Sequence, residues 1–341
     1  MKDLKPLQKL AFFLNNIFAL LFLASFAIPY VSPESFPLLS VLSLAVPLIV
    51  FIHIGFILYW WLVGFKRQFL LSFFCLLLAV GFSYFPYKFK DHTVVSGNSI
   101  SVMSYNVRIF NRYDWIEDPE VPNKISRFIR DHDPDILALQ EYAPLEEIAS
   151  EYDYKYEEVK GRRSPYGMGI FSNYPIVRSG NLDFENSTNN AIFIDVLMRA
   201  DTVRIYNVHL ESFGIKTDSL NISGINEKDS RKLMKRLKGS FVKQQHQVER
   251  LVEHQMSCPY PIILCGDFNN TYYSWAYRNL KNDLKDSFVE AGKGFGKTYS
   301  LNGYPLRIDF ILPDSRFKVN EHRNFEIALS DHEPILVKLS Q

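Results

Sequence analysis

The sequence predicts an α/β domain built on a mixed β-sheet and carried behind an apolar N-terminal region. Three observations predict it. Apolar runs alternate with amphipathic helical patterns from residue 100 to the C-terminal end. Six of those runs end on an amide, a carboxylate or a histidine, as strands do when their carboxyl ends line one rim. The first 87 residues, by contrast, carry few charges and several long apolar stretches, while the remainder has an ordinary soluble composition. With 341 residues, 47% hydrophobic and 15% aromatic, the chain has material for two units and a sizeable core. We divide it into a transmembrane region over residues 1–90 and a second domain over 91–341, with the boundary near 88–98.

The N-terminal region comes first. Residues 10–31 hold no charge, and at ~1.5 Å per helical residue such a run reaches ~33 Å, enough to cross a bilayer core of ~30 Å. A second run, 36–65, contains Pro47 and His53 and closes on Tyr59, Trp60 and Trp61, an interfacial aromatic group. A third covers 69–87. Three transmembrane helices, about 10–31, 36–65 and 69–87, are therefore expected, joined by turns at 32–35 and 66–68. Ser25 and Ala27 offer a signal-peptide cleavage site as the alternative, which two further spans argue against. Lys2, Lys5 and Lys9 precede the first span, and Lys66 and Arg67 separate the second from the third. This asymmetry predicts an integral protein of the cytoplasmic membrane with its N-terminus inside and its C-terminal domain extracytoplasmic, although Lys88 and Lys90 count against it. His53 reads as a packed histidine rather than a functional intramembrane group.

In the second domain, residues 100–105 form a strand ending at Asn106. A helix over 123–131 sets Ile125, Phe128 and Ile129 on one face, and the strand at 135–139 ends at Gln140 and Glu141. Strands dominate 154–210, most clearly at 168–171, 191–198 and 203–208, the last ending at His209. A long polar helix covers 227–255. The stretch PIILCGDFNN at 261–270 carries the strongest signal, a run buried on both faces that bends at Gly266 and delivers Asp267, Asn269 and Asn270. A short helix lies near 274–280, RIDFIL places Asp309 in a strand, and SDHEPI sets Ser330, Asp331 and His332 ahead of the final one. Each residue has an ordinary explanation: a turn for Asn106, a helix-start charge for Glu141, a packed His209, an N-cap for Asp331. Six such endings together are better explained by a site.

The motifs SYNVR, LALQE, YGMGIFSNYPI, YNVHL, GDFNN, RIDFIL and SDHEPI span residues 101–339 and resemble the endonuclease/exonuclease/phosphatase family, metal-dependent phosphoesterases with a deoxyribonuclease-I-like fold. The resemblance implies a four-layer α/β sandwich, two packed mixed β-sheets flanked by helices, and hydrolysis of a phosphate ester. It implies that Asn106, Glu141 and Asp331 hold Mg²⁺ or Mn²⁺, cations that prefer such hard oxygen ligands. His332 would be the general base, oriented by Asp309. Asn269 would bind a phosphoryl oxygen and Arg108 the substrate, His209 would donate to the phosphate or the leaving oxygen, and Asp267 would assist water or metal. YNVR is similar to the secreted deoxyribonuclease and sphingomyelinase branches, since the abasic-site endonuclease branch has an acid where Arg108 stands. No carboxylate partner for His209 is evident in YGMGIFSN.

Charge narrows the substrate little further. Residues 91–341 hold 31 Lys and Arg against 35 Asp and Glu, a net of −4, which excludes a broadly basic nucleic-acid binder. Within the long connection at 211–240, Lys228, Arg231, Lys232, Lys235, Arg236 and Lys238, with Lys243 beyond it, form either a basic face for a polyanion or for lipid headgroups, or a solvated helix face. Cys75, Cys258 and Cys265 suggest no disulfide framework. The leading reading is a membrane-anchored, Mg²⁺-dependent phosphodiesterase with nuclease-like chemistry. The alternative is a phospholipid- or sphingolipid-headgroup phosphodiesterase or phosphoinositide phosphatase. A third, an inactive membrane-tethered binding protein, is disfavoured by the complete polar set. Lipid bilayer and phosphate ester are the expected partners, and no protein partner is predictable.

Overall fold

The computed structural model describes residues 4–64, 67–89, 99–161, 165–199, 201–214, 227–301 and 303–341. Helix α1 (Pro6–Ser25) is followed by a short 3-10 turn (Ile28–Tyr30), then α2 (Pro37–Leu42), α3 (Val46–Leu62) and α4 (Phe69–Gly81). Helices α1, α3 and α4 pack together around Phe22, Ile49, Val50, Cys75 and Ala79.

This corrects the expectation of three transmembrane helices. Among the described residues one stretch, Pro6–Tyr30, is long and apolar enough to cross a membrane, not three. The run at 36–65 is not one helix. Proline fits only the first turn of a helix, and both Pro37 and Pro47 occupy that position, so the chain starts a helix twice with a turn at 43–45 between. The 17 residues of α3 and 13 of α4 reach only ~26 and ~20 Å at ~1.5 Å each. Lys2, Lys66 and Lys90, on which the orientation partly rests, lie outside the described residues, as do most of the 88–98 boundary and residues 215–226 of the long connection.

The α/β unit starts with β1 (Ile100–Asn106), α5 (Val121–His132), β2 (Ile136–Tyr142), α6 (Glu146–Ala149), β3 (Tyr154–Lys160), β4 (Tyr166–Ser172) and β5 (Ile176–Asn181). It continues through β6 (Ala191–Met198), β7 (Asp201–His209), α7 (Glu227–Met256), β8 (Ile262–Asp267), α8 (Trp275–Lys281) and α9 (Ser287–Ala291). The last strands are β9 (Tyr299–Leu301), β10 (Tyr304–Leu306), β11 (Asp309–Pro313), β12 (Lys318–Asn324) and β13 (Ile335–Ser340). They form a six-stranded sheet in the order β12-β13-β1-β2-β4-β3, a five-stranded sheet in the order β11-β8-β7-β6-β5, and the small β9/β10 ribbon. Both large sheets are mixed, because β1 runs parallel to β2 and β7 parallel to β8 while the other pairs are antiparallel.

The two sheets pack face to face. Alternate residues such as Val102, Ala138, Ile170, Ile194, Ile205, Ile263 and Val337 fill the space between them. The intervening positions face outward and are covered by helices. Met103, Leu137 and Leu139 lie under the Val121, Ile125 and Ile129 stripe of α5, and Tyr206, Leu264 and Phe310 under Val248 and Leu251 of α7 and Ala276 of α8. The central strands are thus buried on both faces, which is why they read as continuous apolar runs.

Candidate active site

The strand register brings six motif endings to one rim. Asn106 stands opposite Gln140 at the ends of β1 and β2, and His209 opposite Asp267 at the ends of β7 and β8. Strand β11 enters antiparallel to β8, so its first residue, Asp309, pairs with Asp267 from the same side. Strand β13 is antiparallel to β1, and the residues just before it, Ser330, Asp331 and His332, fall beside Asn106, whose backbone oxygen accepts from the Ser330 hydroxyl at 2.8 Å. Gly266 allows the close approach: its φ is +135°, and a Cβ there would sit 2.0 Å from the Val208 carbonyl oxygen. Beneath the rim the sheets are tied by Gln140, which donates to Asn207 at 2.6 Å, while Asn207 donates to the Leu139 and Gly169 carbonyls.

Asp267 is the centre of the site. Its Oδ2 accepts from the Asn106 amide at 3.1 Å and the Asn269 amide at 3.3 Å, and its Oδ1 from the Asn269 backbone N–H at 2.7 Å. The same Oδ2 lies 3.6 Å from the Nε2 atoms of both His209 and His332. Burial raises the Asp267 carboxyl, an effect that the His332 charge opposes and the Asp309 charge reinforces. His332 is 6% exposed and held between two acids, with Nδ1 3.0 Å from Asp309 Oδ2 and Nε2 facing Asp267. Burial works against its charge, but Asp309 and then Asp267 outweigh it and lift the imidazole well above the usual histidine range. His209 goes the other way. Burial, and then the charge of His332, push it down to about 3, so it is neutral.

Three site residues hold left-handed backbones: Arg108 at φ +44°, Glu141 at +46° and Asn269 at +49°. Such strain costs about 1 kcal/mol or more per residue and gathers where function requires it. At Glu141 the cause is a bulge, which inserts this residue between Gln140 and Tyr142 in the β2/β4 ladder and re-aims its side chain. Glu141 and Asp331 remain 34% and 33% exposed, open to the cleft. Burial and then the Asp331 charge raise the Glu141 carboxyl, so two oxygen donors crowd one another there. That donor set, with one lone pair of Asn106 Oδ1 left over after the Arg108 N–H, fits a hard divalent cation. A second group, Asp267, Asp309 and His332, has its possible ligand atoms within 4.8 Å of one another. Its His332 Nδ1 already faces Asp309.

A family model described as "Endonuclease/Exonuclease/phosphatase family" matches residues 103–332. The chain belongs to that family. A second model, "Domain of unknown function (DUF8431)", matches residues 8–84, and no curated protein matches the chain. Among solved structures, D. rerio TDP2 complexed with single strand DNA product is 16% identical, with a TM-score of 0.53 over 72% of this chain and 100% of that one. A Bacteroides thetaiotaomicron VPI-5482 mannosyl-6-phosphatase is 18% identical, with a TM-score of 0.51 over 71% of this chain and 100% of that one. An endonuclease/exonuclease/phosphatase family protein from the same species is 18% identical, with a TM-score of 0.52 over 72% of this chain and 98% of that one. At these identities the likeness shows the shared fold. Members of this family are typically metal-dependent phosphoesterases.

In this family member all nine residues singled out from the sequence reach the rim, but several are engaged differently from expectation. Both N–H groups of the Asn269 amide are spent, one on the Leu210 carbonyl at 3.0 Å and one on Asp267. Arg108 pairs through Nε with Asp331 at 3.3 Å and stacks on Trp115 at 4.3 Å. The acids nearest His209 are Asp267 and, at 4.0 Å, Glu141, not residues of the YGMGIFSN strand. Other residues carry no signal in the sequence. Thr298 Oγ1 accepts from the Asp309 N–H at 3.1 Å, and Tyr299 lies against His332 at 4.9 Å between ring centroids. Trp115 and Tyr113 line a second cavity on the far side of Glu141.

Proposed function

We propose that this protein is a membrane-anchored, metal-dependent phosphodiesterase that activates water on the rim around Asp267. The carrying observation is that one buried carboxylate oxygen faces two imidazoles of opposite tendency, His332 favouring the charged form and His209 the neutral one. Such divergence is how one site does acid and base work at once. Because the same fold serves a protein holding a single strand DNA product and a mannosyl-6-phosphatase, the substrate is argued from the cleft and not from the fold.

Asn106, Glu141 and Asp331 would hold Mg²⁺ or Mn²⁺, which when bound neutralises phosphoryl charge. Asp267, with its raised carboxyl, takes the proton of the attacking water. We assign it this role in place of His332 because an imidazole buried between two carboxylates already carries its proton. As the bond from phosphorus to the leaving oxygen breaks, His332, held in line by Asp309, gives its Nε2 proton to that oxygen. His209 supplies a neutral N–H, with two carboxylates opposite Nε2 favouring the tautomer protonated there. Asn269 positions Asp267. Cavities open on both sides of Glu141, one bounded by Asp267 and His332 and one by Trp115 and His209, which suits a phosphate esterified on two sides.

Two features support the anchor. Helix α1 is apolar over a membrane-spanning length with only 28% of its best window buried, unlike the core helix of a soluble protein. It is also built into the bundle, where Asn15 accepts from Ser72 at 2.7 Å, unlike a cleaved leader. The test uses the full chain in detergent with Mg²⁺, offered duplex DNA, RNA, sphingomyelin and phosphoinositides in parallel. Hydrolysis that stops in excess chelator, returns with Mg²⁺ or Mn²⁺ and is weakened by Glu141→Gln is the expected result. Undiminished hydrolysis in chelator overturns it.

A further inference from the structure

The first of the two cavities, about 210 Å³, has two unlike walls. One is the chemical wall of Glu141, Asp267, Asn269, Asp331 and His332. The other is apolar: Leu44, Phe213, Leu301, Leu306 and Ile308. Leu44 belongs to the turn between α2 and α3, so the N-terminal helical unit reaches into the reaction cleft.

That turn is fixed in place. Ser43 Oγ shares its one hydrogen between the Ser40 carbonyl at 2.7 Å and Asn270 Oδ1 at 3.1 Å, and Thr271 Oγ1 donates to the Ser43 carbonyl at 3.0 Å. Asn270 in turn donates to Gln244 at 2.9 Å. The second asparagine of GDFNN is therefore spent on docking the helical unit one residue from Asn269. Behind it, Ile28 and Val46 are buried against Tyr273, whose hydroxyl donates to the Tyr84 carbonyl at 2.6 Å. Arg278 lies over the Tyr30 ring at 4.0 Å, and the backbones of Lys88 and Gly294 bond in both directions. The C-terminal ends of α1 and α4 and the N-terminal end of α3 are thus the ends that meet the sandwich.

Among the described residues no lysine or arginine lines this cavity, and the arginines nearest it are Arg108, paired with Asp331, and Arg236, against Gly214, whereas a nucleic-acid backbone is held by many cations. Five apolar side chains beside the reacting phosphate do the opposite, since they favour an alcohol whose carbon chain leaves water. Resting on the phosphodiesterase reading above, we infer that the N-terminal unit completes the substrate site, and that the wall headed by Leu44 selects phosphate esters carrying an apolar chain, presented by the membrane in which the helices sit.

The experiment measures binding and turnover separately, on the full chain in amphipol with Mg²⁺. Methyl, butyl and hexyl phosphate report binding by calorimetry, and methyl and hexyl p-nitrophenyl phosphate report hydrolysis. Each methylene that enters the wall should tighten binding about fourfold, so hexyl phosphate, about five methylenes longer, should exceed methyl phosphate by ~10³-fold. Leu44→Asp should flatten that dependence, Leu44→Met should keep it, and Leu301→Asn, away from the docking contacts, should flatten it without involving the helices. Equal affinity for methyl and hexyl phosphate overturns the inference. So does a slope that both polar variants leave intact, or duplex DNA cleaved faster than the hexyl diester. If the slope is present but neither diester is hydrolysed with Mg²⁺ or Mn²⁺, the phosphodiesterase reading fails and the apolar wall stands.

Discussion

The helical unit and the α/β sandwich both bury an apolar core and differ in what they leave outside. In the bundle, Leu20 is 67% exposed and Trp61 60%, while Asn15, His53 and Ser72 are wholly buried and bonded together. In the sandwich, Val102, Ile205 and Val337 are wholly buried, and the polar groups gather on a rim. Water selects the second arrangement by driving apolar surface inward. Lipid supplies no such drive, and helices in it associate through packing and buried hydrogen bonds. On the anchor proposed above, one chain is written for two solvents, and the cleft lined by Leu44 and Asp267 lies at the junction of the two units.

The largest test of that contrast is at the rim, where the proposed reaction uses the buried Asp267. Asp267→Asn keeps the shape but removes the proton acceptor, so turnover should fall ~10²–10⁴-fold, the usual worth of general-base catalysis. The sign of the pH dependence follows from burial. A raised carboxyl accepts protons only above its elevated titration, so wild-type rate should climb with pH beyond the ordinary carboxylate range, and the variant should lose that limb. A flat wild-type pH–rate profile would return the base to another residue.

The next effect concerns stability of the water-facing unit. Asp286 and Arg307 form a buried pair at 2.8 Å, with Arg307 stacked between the Tyr272, Phe288 and Phe310 rings. Arg307→Leu leaves Asp286 charged and unpaired, and should cost ~3–5 kcal/mol in denaturant unfolding. Burial alone would raise Asp286, but Arg307 and Tyr277 outweigh it and hold the carboxyl below the usual range. A depressed carboxyl stabilises above the unfolded value near ~4, and that contribution is lost as pH falls through the lower folded value. Acid unfolding should therefore be steeper in the wild type than in the double variant Asp286→Leu/Arg307→Leu.

How much of this is legible in the sequence differs between the two units. In the sandwich, Asn106, Gln140, His209 and Asp267 end strands, so a change from apolar to polar marks the rim residue by residue. The bulge that turns Glu141 toward the cleft, and the spent amide of Asn269, depend on partners distant in sequence and leave no local trace. In the bundle, every residue of a long apolar stretch looks alike. Apolar length is readable, but hydropathy runs unbroken through Pro37 and Pro47, where the chain starts new helices. Leu44 in the active cleft was unreadable, because nothing in VLSLAV points to a partner more than two hundred residues away.

A smaller effect separates the two surfaces directly. Leu20→Lys places a charge on the outer face of α1, and Val177→Lys places one on an exposed position of β5, 58% exposed. On a solvated surface such a change stays within about ±0.5 kcal/mol. At the centre of a membrane-spanning helix it costs ~2.5–3.5 kcal/mol. Reduced retention of the Leu20→Lys chain in carbonate-washed membranes, with Val177→Lys unaffected, is the expected outcome, and equal behaviour would erase the solvent contrast.

The smallest effect is the sharpest, because it sets like against like. Ser72 donates to Asn15 and lies 3.0 Å from His53 Nδ1, so Ser72→Ala leaves two buried groups without that partner in the bundle. Asn207→Ala does the same between the sheets, removing the 2.6 Å partner of Gln140 and the donor to the Leu139 and Gly169 carbonyls. In a water-soluble core an unmet buried group costs ~1–3 kcal/mol, because the unfolded chain would have bonded to water. A helix unfolded within a membrane has no such water and finds other partners, so the measured loss there averages ~0.6 kcal/mol. Unfolding of the full chain in one detergent should thus show the asparagine variant as the more damaged. If Ser72→Ala costs as much as Asn207→Ala, the bundle's reference state is aqueous, and its apolar outer face must be covered by something other than lipid.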